Sequence, residues 1–107
     1  MELISEENKI ELNIFNLLKE VIDPELAINI IDMGLVYDIS FTVENGIVVN
    51  LTLSSEGCPM GDVILEDVKN VIKENYPETK QKVNLVWEPK WNSTFITPSG
   101  RKTLNMD

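Results

Sequence analysis

From Leu35 to Leu53 the chain reads LVYDISFTVENGIVVNLTL, and apolar and polar residues take turns along most of it. Tyr37, Ile39, Phe41 and Val43 alternate with Asp38, Ser40, Thr42 and Glu44. After Asn45-Gly46, the residues Ile47, Val49, Leu51 and Leu53 alternate with Val48, Asn50 and Thr52. A period of two marks half-buried strands. Asn-Gly between two such runs predicts a hairpin with a type I′ turn, in which both central residues take positive φ. One face of this hairpin is apolar and needs a cover.

Two stretches with helical spacing supply it. In KIELNIFNLLKEVI, Ile10, Ile14, Leu17, Leu18 and Val21 fall three and four apart, with Ser5 as N-cap and Pro24 as stop. In the stretch beginning GDVILEDVKNVIKENYP, with Met60 just ahead of it, Met60, Ile64, Val68, Val71 and Ile72 share a face. Asp62, Glu66 and Asp67 come early there and Lys69 and Lys73 late, as the helix dipole favours. KVNLVWE predicts a third strand with Val83, Leu85 and Trp87 on one side, and Thr97-Pro98 predicts the cap and first turn of a short helix. DPELAINIIDMGLVYDI, mostly apolar but broken by Pro, Asn, Asp and Gly, reads as an ordered loop leading into a strand. The expectation is one α+β domain over residues 1–107, in the order helix, strand, strand, helix, strand, short helix. Its helices pack on one face of a three-stranded sheet.

Composition then narrows the chemistry. The 107 residues are enough for one core without a disulfide or structural metal. A net charge of -9 argues against nucleic acid as a partner, because phosphate binding needs a basic surface. No apolar run reaches the ~20 residues of a membrane helix, and the acidic start MELISEENK lacks the order of a signal peptide. A cytoplasmic protein without a membrane partner is expected. The absence of histidine excludes Ser–His and Cys–His nucleophilic machinery and histidine-ligated metals. What remains is one cysteine, carboxylates, hydroxyls and backbone amides.

That cysteine, Cys58, stands between Gly57 and Pro59, where the second strand gives way to the second helix. Proline favours the first helical position, so Cys58 is expected at or beside the N-cap, where unpaired amides and the dipole stabilise a thiolate. Glu56, Asp62 and the acidic chain oppose that charge, and the expected thiol pKa is near or slightly below about 8.5. The plainer alternative is a small buried hydrophobe. Asp23, Glu25 and Asp32 read first as turn or capping carboxylates. Trp87 and Trp91 read as packing, and Thr52, Ser54 and Ser55 as strand-face or capping hydroxyls.

Three stretches taken together carry a resemblance: VIDPELAINIIDMGLVYDI, LTLSSEGCPMGD and VNLVWEPKWNSTFITPSGRKTL. Their Asp-Pro-Glu, Met-Gly-Leu-Val, Gly-Cys-Pro and Trp-x-Pro-x-Trp motifs, in this order, resemble the small iron–sulfur assembly proteins that include SufT and the PaaD-like proteins. The cysteine-bearing C-terminal segment of the PaaD-like members is absent, so the resemblance lies on the SufT side. It implies a role in maturing iron–sulfur proteins, as an assembly or carrier factor rather than an enzyme. It also implies that Cys58 is the metal ligand, with Asp23, Thr52 and Ser54 beside it, Ser54 standing where the family pattern has a second threonine. Clusters are usually held by four thiolates, so a cluster or iron on this chain would be labile and shared across a homodimer or with external thiols. Iron–sulfur assembly proteins and client apoproteins are the implied partners. A non-metal adaptor that docks clients is the second reading. A thiol enzyme stands well behind, having neither a histidine base nor a resolving cysteine.

Overall fold

A computed structural model describes residues 6–55 and 61–105. Helix α1 runs Glu6–Leu18, and its expected cap Ser5 lies outside the described residues. It stops well before Pro24. The amides of Lys19, Glu20 and Val21 turn back to carbonyls three residues earlier, tightening the last turn. Strands β1 (Ile22–Asp23) and β2 (Ile28–Asn29) form a two-residue antiparallel ladder. Strands β3 (Val36–Thr42), β4 (Gly46–Leu51) and β5 (Gln81–Leu85) form the main sheet, in the order β3-β4-β5. β4 is antiparallel to β3 and parallel to β5. A parallel pair needs a long crossover, and α2 (Gly61–Asn75) provides it. α1 packs on β3, α2 on β5, and the two helices on each other. Ile14 and Leu18 from α1, Ile64, Val68 and Ile72 from α2, and Ile47, Val49 and Leu51 from β4 are all buried. The expected α+β fold is present, with the predicted faces of α1, the described part of α2 and β4 turned inward. Leu85, expected with Val83 and Trp87 on the inner side of the third strand, is instead 37% exposed at the end of β5, and Trp87 lies beyond that strand.

The hairpin differs from its prediction at the turn. Thr42 pairs with Gly46, so Val43, Glu44 and Asn45 form a three-residue loop. Gly46 takes φ +72 while Asn45 is not in the left-handed region, which is the pattern of a three-residue hairpin loop closed by a left-handed glycine. The Asn45 amide donates to Thr42 Oγ1 at 3.0 Å, a bond that fixes this loop instead of a type I′ turn. Val43, expected on the apolar face, therefore stands at the tip, 86% exposed.

The larger surprise is the stretch from Pro24 to Leu35. Beyond the β1–β2 ladder that its sequence did not announce, it buries Ile28, Ile30, Ile31, Met33 and Leu35. It is a wall of the core. The segment after β5 seals it from outside. Trp91 Nε1 donates to Met33 O at 2.8 Å, and the Thr97 amide donates to Asp32 O at 2.9 Å. The short helix α3 (Pro98–Thr103) is capped as predicted, with the Gly100 amide donating to Thr97 Oγ1.

Asp32 ties the two segments together. Its carboxylate accepts from Asn29 Nδ2 at 3.0 Å and from Thr97 Oγ1 at 3.0 Å, while its amide donates to Asn29 Oδ1 at 2.9 Å. Removing an acceptor leaves part-buried donors without partners. Asp32→Ala should cost about 2–3 kcal/mol, read as a lower urea midpoint. A change within about 0.5 kcal/mol would show that water replaces the carboxylate at no loss.

Candidate functional site

Backbone hydrogen bonds stitch three segments to the C-terminal end of β4. The Thr52 amide donates to Leu35 O, Leu35 to Ile30 O, and Ile30 to Val21 O, at 2.8–3.1 Å. Val86 donates to Leu51 O at 2.8 Å, bringing in the chain after β5. The stretch from Val21 to Leu35, the residues following Leu51 and the residues following Leu85 therefore meet at one end of the sheet. Asp23, Thr52 and Ser54, three of the four residues singled out from the motifs, lie on these segments.

Two of them are unusual. Among the described residues Asp23, 2% exposed, and Thr52, 0% exposed, are the buried polar or charged ones. Asp23 Oδ1 accepts from the Glu25 amide at 2.8 Å, the turn-capping bond that its place before Pro24 suggested. No described cation forms an ion pair with it. Thr52 Oγ1 has no hydrogen-bond partner among the described residues. Buried polar atoms usually have partners, and one that lacks them carries a desolvation cost. The fold gains little from the Thr52 hydroxyl, and from the Asp23 carboxylate it gains the turn bond to Glu25.

Sequence reasoning missed Tyr37 here. A register shift between Val36 and Asp38 sets Tyr37 apart from the β3–β4 ladder, and its hydroxyl donates to Pro89 O at 2.7 Å. Burial, first, and the charge of Glu88 push the phenol above its ordinary pKa, with the Thr52 hydroxyl pulling partly back. Tyr37 thus stays protonated at neutral pH. The approach of Thr52 falls short of a hydrogen bond, since the Tyr37 proton is directed to Pro89 and no bond of proper geometry reaches Oγ1. The signal was present in the adjacent pair Val36-Tyr37, where the alternation breaks.

Ser54 opens onto a pocket of about 470 Å³ lined also by Trp87, Glu88, Lys90 and Trp91. Trp87 and Trp91 pack against the core, as expected, and also wall this pocket. Cys58 lies outside the described residues, with Pro59 and Met60, and so do its expected place at the helix start and its expected proximity to Asp23. Gly61, where the described part of α2 begins, abuts Leu53: a Cβ there would lie 2.6 Å from Leu53 Cδ1. Among the described residues no group of three or more His, Cys, Asp or Glu side chains could hold a metal ion.

Because Thr52 Oγ1 makes no hydrogen bond, the isosteric change Thr52→Val removes a desolvation cost and breaks no bond. Stability should hold or rise by up to about 1 kcal/mol in equilibrium urea unfolding. A loss beyond about 1 kcal/mol would mean that the hydroxyl supports the fold.

Comparison with known proteins agrees with the resemblance in the motifs. Residues 11–85 match the family described as iron–sulfur cluster assembly protein. The Fe–S protein maturation auxiliary factor SufT of Staphylococcus aureus is 45% identical over 87 residues, which cover 80% of this chain and 98% of the relative. A putative 1,2-phenylacetyl-CoA epoxidase component of Escherichia coli is more distant, at 29% over 92 residues, covering 85% of this chain and 54% of that one. The crystal structure of a domain of unknown function, DUF59, from Bacillus anthracis superposes with a TM-score of 0.87 at 36% identity, covering 94% of this chain and 96% of that one. No helix among the described residues is long and apolar enough to cross a membrane.

Proposed function

This chain belongs to the iron–sulfur cluster assembly protein family, and on that premise we propose that it is a maturation factor whose Cys58 thiolate holds iron or a cluster as cargo for client apoproteins. The observation that carries this reading is the pair of buried polar side chains at the end of the sheet from which the Cys58 segment departs: Asp23, a carboxylate with no described cation paired to it, and Thr52, whose hydroxyl has no hydrogen-bond partner among the described residues. A buried hydroxyl without a partner beside a buried carboxylate without a cation is the kind of local cost that functional sites retain.

Their chemistry suits such cargo. An ionised carboxylate only accepts hydrogen bonds, whereas a hydroxyl can donate to thiolate or sulfide sulfur. Asp23 therefore offers an oxygen ligand or a proton acceptor, and Thr52 and Ser54 offer donors. The chain has one cysteine and no histidine, so it cannot complete a four-thiolate shell alone. A second copy, an external thiol or the client must supply the rest. Cargo held in that way leaves readily, which suits a carrier that acts beside other assembly proteins. Thiol coordination also releases a proton, so loading should weaken as pH falls.

Complementation of cells lacking the protein tests the reading. Wild type should restore the activity of an iron–sulfur client enzyme, Cys58→Ser should leave it at the level of the deletion, and Thr52→Val should lower it without loss of protein. Full rescue by Cys58→Ser would favour the adaptor reading, in which the chain docks clients without holding metal.

A further inference from the structure

The free edge of β3 and the exposed side of α1 form a groove that the maturation chemistry does not use. Phe41 pairs with Ile47 across the hairpin, yet its amide donates to Glu11 Oε2 at 2.9 Å. That amide therefore points away from β4. In an antiparallel pair the direction alternates from residue to residue, so Ser40 faces β4 and Ile39 turns its N–H and C=O outward like Phe41. Glu11 covers the edge at Phe41. At Ile39 no described residue bonds to these outward groups.

Beside this opening α1 carries a second apolar ridge. Leu12 is 54% exposed and Phe15 36%, three residues apart and so adjacent on the helix. Leu12, Phe15, Val36 and Ile39 line one groove of about 560 Å³, with Glu11 and Asp38 among its walls. An open strand edge beside an apolar ridge accepts an extended segment as an added strand, through main-chain hydrogen bonds and pockets for alternate side chains.

We propose that this groove docks an extended segment of a partner protein that carries alternating apolar and basic residues. The charge of the groove selects the occupant: Glu11 and Asp38 line it, Lys19 stands over the outer Phe15 ring at 5.0 Å, and the whole chain carries a net charge of -9, a balance that attracts a basic segment and repels a second copy of itself. The segment adds a strand at Ile39, seats its apolar side chains on Leu12 and Phe15, and sets a lysine or arginine against Asp38 and Glu11. The proposal involves neither Cys58 nor a cluster, so it stands or falls apart from the maturation reading.

A short capped peptide of alternating lysine and valine, titrated into the full chain and followed by amide chemical shifts and hydrogen exchange, tests it. The peptide should shift Leu12, Phe15 and Ile39 and slow exchange of the Ile39 amide, while the glutamate–valine counterpart binds at least about tenfold more weakly. Leu12→Lys should weaken the lysine peptide by about tenfold or more. Val43→Lys makes the same charge change at the hairpin tip, 86% exposed, and should bind like wild type. Lysine is a good helix former and Leu12 is exposed, so the first variant keeps its fold. Equal binding by the two variants, equal binding of the two peptides, or shifts confined to another face would overturn the proposal. So would self-association of the chain through Leu12 and Phe15.

Discussion

Gly34→Ala will remove about 3–5 kcal/mol of stability, a large part of the 5–15 kcal/mol typical of folded proteins. Gly34 has φ +75, and a Cβ there would lie 2.3 Å from Phe95 O and 2.8 Å from both Phe95 C and Phe95 Cβ. The left-handed backbone accounts for roughly 1–2 kcal/mol of the cost. The rest comes from the clash, because the obstacle is mainly backbone. Phe95 ends a 3₁₀ turn, Ser93–Phe95, capped by Asn92, and cannot retreat without straining the Trp91–Met33 and Thr97–Asp32 bonds on either side. Equilibrium urea unfolding measures the effect. A loss of less than about 1 kcal/mol would show that the segment from Asn92 to Thr97 moves freely and does not seal the core.

The same contact explains what the sequence disclosed and what it concealed. The hairpin was legible because Ile39, Phe41, Ile47, Val49 and Leu51 alternate, and alternation is a local property. The turn was misread because Asn-Gly is also compatible with a three-residue loop. The Thr42–Gly46 pairing selected the loop, and neither residue announces its partner. Pro24 to Leu35 looked like a connection, since a two-residue ladder has no period. Its burial comes from Trp91, Phe95 and Thr97, some sixty residues further along the chain. Gly34 of the Met-Gly-Leu-Val motif could be recognised as a motif residue, but the reason for glycine lies in the backbone of Phe95.

The candidate site was legible in a different way. Asp23 and Asp32 do make the turn and network bonds that carboxylates beside proline or glycine suggest. Nothing in the composition distinguishes the buried Asp23 from the half-buried Asp32, which only packing separates. Thr52 was assigned to a polar strand face, yet β4 ends at Leu51. Past that end Thr52 and Leu53 are both buried. Period two no longer holds once the strand stops. Cys58 is singled out by its Gly-Cys-Pro setting and by the family resemblance, and it lies outside the described residues.

The second large effect concerns that cysteine. A chain whose only thiol is replaced has no thiolate ligand left, so the loss of cargo in Cys58→Ser should be nearly complete rather than partial. Serine keeps nearly the size of the side chain and replaces the thiol by a hydroxyl, so the fold should survive and the comparison should remain clean. Anaerobic incubation with ferrous iron and sulfide, followed by visible absorbance and native mass, is the measurement that reaches the central claim. Wild type should develop sulfur-to-iron charge-transfer absorbance and a mass of two chains per cluster, or of one chain with external thiols. Cys58→Ser should show neither. Equal iron and sulfide per chain in the two proteins, whether both load or neither does, would contradict the claim that Cys58 holds the cargo.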